Sequence, residues 1–291
     1  MLIISTRAAI CNAAFSLLSR RRHIKKQRLK KAGFNVIINQ LLYVFCKVET
    51  QVNETKLTFK RYEKKYLLSR AGYQELRERL DEHITPDVYF KSTVCSVYYD
   101  TENFELIRRS IEAPVYKEKL RLRSYGVPDD DGTVFIELKK KFEGMVYKRR
   151  LAMRAADAAA YVSGSIPPPE RSQMTDEIDW FLHENAVEPR AFIACDRSAY
   201  VVRDEPELRI TFDEALRWRK TELDLRLGSH GEALCPDGSV LMEIKLPDTA
   251  PMWLARMLSE LKLFPTGFSK YGTCYRENIL KEIFNGVNVC V

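Results

Sequence analysis

The sequence predicts an α+β protein, an antiparallel β-barrel or sandwich with peripheral helices. Three observations predict it. β-branched and aromatic segments dominate, they follow one another in hairpin order with turn-rich joints, and few have the unbroken apolar character of parallel strands. At 291 residues the chain is long enough to bury a sizeable core.

The elements follow in order. FKRYEKKYLL (59–68) reads as a strand, and Ser69 caps a helix RAGYQELRERL. STVCSVYYDT (92–101) is a strand ending at Asp100, with a short helix expected over Phe104–Arg109. KEKLRLRSYG (117–126) and TVFIELKKKF (133–142) are two strands separated by the turn sequence PDDDG, and MVYKRRLAM (145–153) is another. An Ala-rich helix, AADAAAYVSG, leads into a Pro-rich loop, IPPPE. TDEIDWFLHEN (175–185) reads as a helix capped by Thr175. PRAFIACDRSAYVV, LRITFDE and SVLMEIKLP are strands, and the helix APMWLARMLSELK (250–262) precedes FSKYGTCYREN.

Charge divides the chain. The net charge is +7, yet residues 1–48 hold ten Lys/Arg and no acid, so residues 49–291 carry 37 Lys/Arg against 40 Asp/Glu. The body is slightly acidic, which argues against a nucleic-acid coat. The leader RRRHIKKQRLKK (20–31) lacks the layout of a signal peptide. It reads either as a basic helix for a membrane surface or as upstream sequence before a true start near Val48, and residues 49–291 read as a single domain. No apolar run reaches membrane-spanning length. Seven scattered cysteines without a C-x-x-C pair, and four histidines, argue for reduced thiols in a cytoplasmic protein and against zinc.

In KEKLRLR, Lys117, Lys119, Arg121 and Arg123 fall at every second position and share one face of a strand. The pattern recurs: Glu63 with Lys65, Glu137 with Lys139, Lys148 with Arg150, Arg209 with Asp213, and Glu243 with Lys245. A wet sheet face with cross-strand ion pairs would account for each pair alone. Faces converging on one lumen would instead suit a polyanion with a divalent metal, cations gripping phosphates and carboxylates holding Mg²⁺ or Mn²⁺. There is no P-loop, dinucleotide loop, nucleophile elbow or H-E-x-x-H.

The ordered series RYEKKY, SVYYDT, KLRLRSYG, IELKKK, YKRR, DRSAY, RITFD, MEIKL and FSKY resembles the polyphosphate polymerase (VTC) domain of the triphosphate tunnel metalloenzymes, over about Thr58–Asn278. The resemblance implies a closed antiparallel β-barrel tunnel. ATP or another triphosphate would bind inside with Mn²⁺ or Mg²⁺, and the terminal phosphate would pass to a growing polyphosphate or pyrophosphate chain. Carried over by motif, Lys65, Arg121, Arg123, Lys139, Lys148, Arg197 and Lys270 would grip phosphates with Ser269 assisting. Glu243 would ligate the metal, and Glu63 and Glu137 would be supporting carboxylates. Arg61 stands where the superfamily has its first glutamate, Gly267 where eukaryotic members often have lysine, and Cys195 where a tyrosine precedes the DRSAY arginine. A triphosphatase of the same fold and a non-catalytic polyphosphate or nucleotide sensor are the rival expectations.

Overall fold

The computed structural model describes residues 62–112, 115–143, 145–235, 238–246 and 249–287; the basic leader expected over 1–48 lies outside them. Strand β1 (Tyr62–Leu68) alternates as expected, burying Tyr66 and Leu68. Helix α1 (Arg70–Leu80) begins where Ser69 Oγ accepts the Gly72 N–H at 3.1 Å. Strand β2 (Ile84–Asp100) starts well before the expected residue 92, because Ile84–Pro86 already pair with the end of β6 (Glu188–Val202), before a bulge. Helix α2 (Glu105–Ile111) is tied to the end of β2 by the buried Asp100 carboxylate, which accepts the N–H groups of Thr101, Leu106 and Ile107 at 2.8–3.0 Å.

Strands β3 (Tyr116–Tyr125), β4 (Thr133–Phe142) and β5 (Met145–Arg154) follow, then α3 (Ala155–Val162) and α4 (Gln173–Glu184). The cap of α4 is Ser172, not Thr175. Ser172 Oγ accepts the Thr175 N–H at 3.2 Å and Thr175 Oγ1 accepts the Ser172 N–H at 2.8 Å, a reciprocal capping box that adds two residues to the helix. After β6 come β7 (Arg209–Arg219), the short β8 (Glu232–Ala233), β9 (Val240–Leu246), and helices α5 (Met252–Glu260) and α6 (Lys270–Cys274). A π turn then leads to α7 (Leu280–Val287).

The strands form one antiparallel sheet in the order β1-β9-β7-β6-β2-β3-β4-β5, with β8 beside β7. The α+β assignment and the peripheral helices stand. The expected closed barrel does not, because β1 and β5 end the sheet and do not pair with each other. On the free side of β1, the Lys65 carbonyl accepts the Thr266 N–H at 2.7 Å, so a loop takes the place a closing strand would need. The sheet curls nevertheless. In a flat sheet β1 and β4 would lie roughly 29 Å apart at ~4.8 Å per strand. Glu63 on β1 and Lys139 on β4 nonetheless lie close enough to shift each other's ionisation.

One face of the sheet carries the two larger apolar clusters, with Glu118, Lys140 and Arg149 as charged residues at its β3–β5 end. Leu120, Leu122, Ile136 and Leu138 pack under Tyr161 of α3 and Phe181 of α4. Tyr66, Phe212, Met242 and Ile244 pack under Leu76 of α1 and Leu254 of α5. Each such fully buried side chain contributes about 1.5–3 kcal/mol. On the other face, Val94, Tyr98, Ile193, Cys195 and Leu241 meet Ile107 of α2 and Tyr271 of α6. The remainder of that second face is charged. Among the described residues no helix is long and apolar enough to cross a membrane.

Candidate active site

The strand registers lay the charged residues out in rows across the sheet. Tyr98, Arg121, Glu137 and Arg150 stand opposite one another on β2, β3, β4 and β5. The neighbouring row, Lys119, Lys139 and Lys148, is all lysine. Toward the other end of the sheet, Arg197 faces Asp213, Thr211 faces Glu243 and Glu243 faces Lys65, while Arg209 faces Lys245 and Lys245 faces Glu63. Curling brings the two halves together. Lys119 Nζ donates to Ser269 Oγ at 3.0 Å, and the charge of Lys65 also acts on Lys119.

Two carboxylate hubs organise the cations. Glu137 is almost fully buried. Its Oε2 accepts Arg121 Nε at 2.9 Å and Nη2 at 2.7 Å. Its Oε1 accepts Lys148 Nζ at 2.7 Å and Arg150 Nε at 2.8 Å. Arg123 Nε stands 3.9 Å from the same carboxylate. Burial alone would raise the Glu137 pKa; the guanidinium of Arg121, then Arg123 and the Lys148 ammonium, overcome it and hold the carboxyl far below its ordinary range. The second hub joins Asp213 and Glu243. Asp213 accepts Arg197 Nε at 2.6 Å and Nη2 at 2.7 Å, and also Lys270 Nζ. Glu243 lies 3.3 Å from Lys270, 3.5 Å from Lys65 and 3.7 Å from Arg197. Burial opposes the ionisation of both carboxyls, and Lys270 leads the cations that keep them charged.

The cations are not all satisfied. Arg123 is 9% exposed, and its Nε has no hydrogen-bond partner. Among the described residues Lys139 and Lys245 make no close ion pair. Burial, then the charge of Lys65 for Lys139 and of Arg197 for Lys245, lowers their pKa values against the help of Glu63 and Glu243. Burial also takes Lys148 down to about 8, with Arg121 and Arg150 adding to the effect and Glu137 opposing it. An isolated cluster of like charges facing one another is destabilising. An anion laid across it would reverse that.

The resemblance implies a divalent metal, and the carboxylates differ in how well they fit one. Glu137 does not fit the supporting metal role expected of it, because both its oxygens are taken up by guanidinium and ammonium donors. Glu63 and Glu243 do fit: they repel each other across β1 and β9, Glu63 is about one-third exposed, and the ion pairs around Glu243 are long. Among the described residues no group of three or more Asp, Glu, His or Cys side chains converges. Two carboxylates match a Mg²⁺ or Mn²⁺ ion that takes its remaining oxygens from phosphates.

Lys65, Arg121, Arg123, Lys139, Lys148, Arg197 and Lys270 therefore lie on one charged face, with Ser269 at its border as the cap of α6. Asp213 was expected to pair with Arg209. Arg209 instead pairs with Asp87, and Asp213 holds Arg197 and Lys270. Sequence reasoning assigned no site role to Tyr98, whose hydroxyl accepts Arg121 Nη1 at 2.9 Å while its ring stacks on Tyr271 at 4.7 Å. It also assigned none to Arg150 or Lys245, although each shares strand parity with a chosen neighbour. The Cβ direction of Gly267 opens onto free space.

Comparison with known proteins bears on this arrangement. The VTC domain model matches residues 60–278. The vacuolar transporter chaperone complex subunit 4 of Trypanosoma brucei brucei (strain 927/4 GUTat10.1) is 28% identical over 155 residues, covering 43% of this chain and 20% of that protein. The chain thus spans about a fifth of that relative's length. Two solved structures are similar at 12% identity. A candidate adenylate cyclase from Bacillus halodurans has a TM-score of 0.46 and covers 71% of this chain and 92% of its own. The PH1819 protein of Pyrococcus horikoshii OT3 has a TM-score of 0.41 and covers 75% and 99%. The match over residues 60–278 spans every strand of the sheet, and the chain belongs to the VTC domain family.

Proposed function

We propose that this chain is a metal-dependent polyphosphate polymerase, transferring the terminal phosphoryl group of ATP to a growing polyphosphate chain laid across the charged face of the curled sheet. Family membership supports the coarser statement, an enzymatic role with nucleotides or polyphosphate. The observation that carries the finer one is the directly opposed row Lys119, Lys139 and Lys148, with the half-satisfied guanidinium of Arg123 two rows further along the same face. Such a row is costly when empty and favourable when it holds phosphates.

The residues divide the work. Arg121 and Arg197 are fixed in position by Glu137 and Asp213 and present their remaining N–H groups to phosphate oxygens. Lys65, Lys139, Lys148 and Lys270 supply point charges that neutralise the transferring group, which phosphoryl transfer needs more than covalent help. Glu63 and Glu243 would hold Mg²⁺ or Mn²⁺, which neutralises phosphate charge when bound. A phosphate acceptor is favoured over water because it is already ionised. Water would first have to give up a proton, which an ionised phosphate need not do.

The full chain incubated with ATP and Mn²⁺, with and without a pyrophosphate primer, tests this on a gel stained for polyphosphate. A ladder of chains, lost in Arg121→Ala, is expected. Free phosphate without chains would make it a triphosphatase, and triphosphate binding without turnover a sensor.

A further inference from the structure

Lys119 belongs to the lysine row described above, and its own surroundings set it apart from Lys139 and Lys148. On its own strand it lies between Lys117 and Arg121; β4 sets Lys139 opposite, and the curl brings Lys65 of β1 near. No carboxylate pairs with it among the described residues. Its hydrogen bond goes to a neutral atom, Ser269 Oγ, at 3.0 Å. Ser269 Oγ also accepts the Gly272 N–H at 3.2 Å. A hydroxyl has two acceptor lone pairs and one proton. Both lone pairs are in use, so the Ser269 proton remains as a donor.

We propose that Lys119 and Ser269 form a phosphate-binding subsite in which Lys119 takes up a proton from solvent when a polyanion binds. This rests on the phosphate-binding reading of the face and adds to it a coupling between binding and pH. The balance is simple: the Nζ lone pair accepts H⁺ from a buffer acid, and the new ammonium faces a phosphate oxygen. In the free protein the loss of hydration, followed by the charges of Lys117, Lys139, Lys65 and Arg121, lowers Lys119 to about 7. A bound polyanion cancels those repulsions and restores the proton. Lys148, lowered to about 8, contributes uptake of its own, so the assignment rests on variants of Lys119.

The measurement is calorimetric titration of the full chain with inorganic tripolyphosphate and chelator, at mildly acid and mildly alkaline pH, in buffers of different ionisation enthalpy. Wild type should take up protons above neutrality, and its affinity should fall as pH rises. Lys119→Met should bind about tenfold more weakly at acid pH, the loss of one charge-assisted contact. It should approach wild type at alkaline pH and take up fewer protons. Lys119→Arg, which keeps the charge and the fold, should bind with less uptake and a flatter pH profile. Wild-type binding with unchanged uptake in both variants would overturn this subsite alone. No binding of tripolyphosphate by wild type would overturn the phosphate-binding reading itself.

Discussion

Arg123 keeps a guanidinium at 9% exposure with an orphaned Nε, while Glu137, at 1% exposure, is gripped from several sides. The two residues therefore predict opposite mutational outcomes. Burial, then Arg121, already lowers the Arg123 pKa against the pull of Glu137, so its charge is a burden on the empty fold. Arg123→Met should leave the melting temperature unchanged or raise it, while tripolyphosphate affinity falls at least about tenfold. Glu137→Gln strands Arg121, Lys148 and Arg150 without their counter-charge, and breaking a buried ionic group this way costs about 3–5 kcal/mol. Thermal unfolding with and without tripolyphosphate separates the two. If Arg123→Met loses stability in step with binding, Arg123 is a structural residue and its orphaned nitrogen means nothing for ligands.

The secondary-structure elements show what a single sequence makes legible. Strand parity in RYEKKY, KEKLRLR, IELKKK and MEIKL puts the alternate charged side chains of each strand on one face, because a period of two is a local property. Closure of the sheet was not local: it depends on whether a loop near Thr266 or a strand lies beside β1, and no alternation encodes that. The Asp213 partner was missed for the same reason, since Lys270 reaches it from 57 residues away. The cap of α4 was legible in principle, for S-Q-M-T places Ser172 three residues before Thr175, but a threonine at that position replaces the more familiar glutamate. Ser172→Ala should cost about 1 kcal/mol of stability. It should leave tripolyphosphate binding at the wild-type value, since α4 packs on the apolar face of the sheet. A change in affinity would show that the helix layer transmits to the charged face.

At the scale of the whole molecule, the crowded cations make stability depend on pH in an unusual direction. Most lysines gain partners on folding, and Lys270 does so here: burial is outweighed by Glu243 and Asp213, its pKa rises, and it stays protonated throughout the neutral range. Lys119, Lys148, Lys139 and Lys245 go the other way, each lowered chiefly by burial. The unfolded chain holds these protons up to the ordinary lysine pKa of about 10.4. The folded chain releases them earlier, Lys119 at about 7 and Lys148 at about 8. Between those values the unfolded state binds more protons, so stability rises with pH. The rise should be blunted toward pH 9 and reversed above about 10, because burial raises the pKa values of Cys95, Cys195, Cys235 and Cys274 and of Tyr66, Tyr99, Tyr116 and Tyr161, and the unfolded chain then sheds protons first. The ligand-free chain should therefore melt at higher temperature at pH 9 than at pH 7. Saturating tripolyphosphate should flatten or reverse the difference, since a bound polyanion lets the lysines keep their protons in the folded state. Thermal scans over this range, with and without tripolyphosphate, read both effects. A ligand-free melting temperature that falls steadily from pH 7 to 9 would mean that the face is hydrated enough to carry its charges unaided, and the case for a polyanion as its missing partner would go with it.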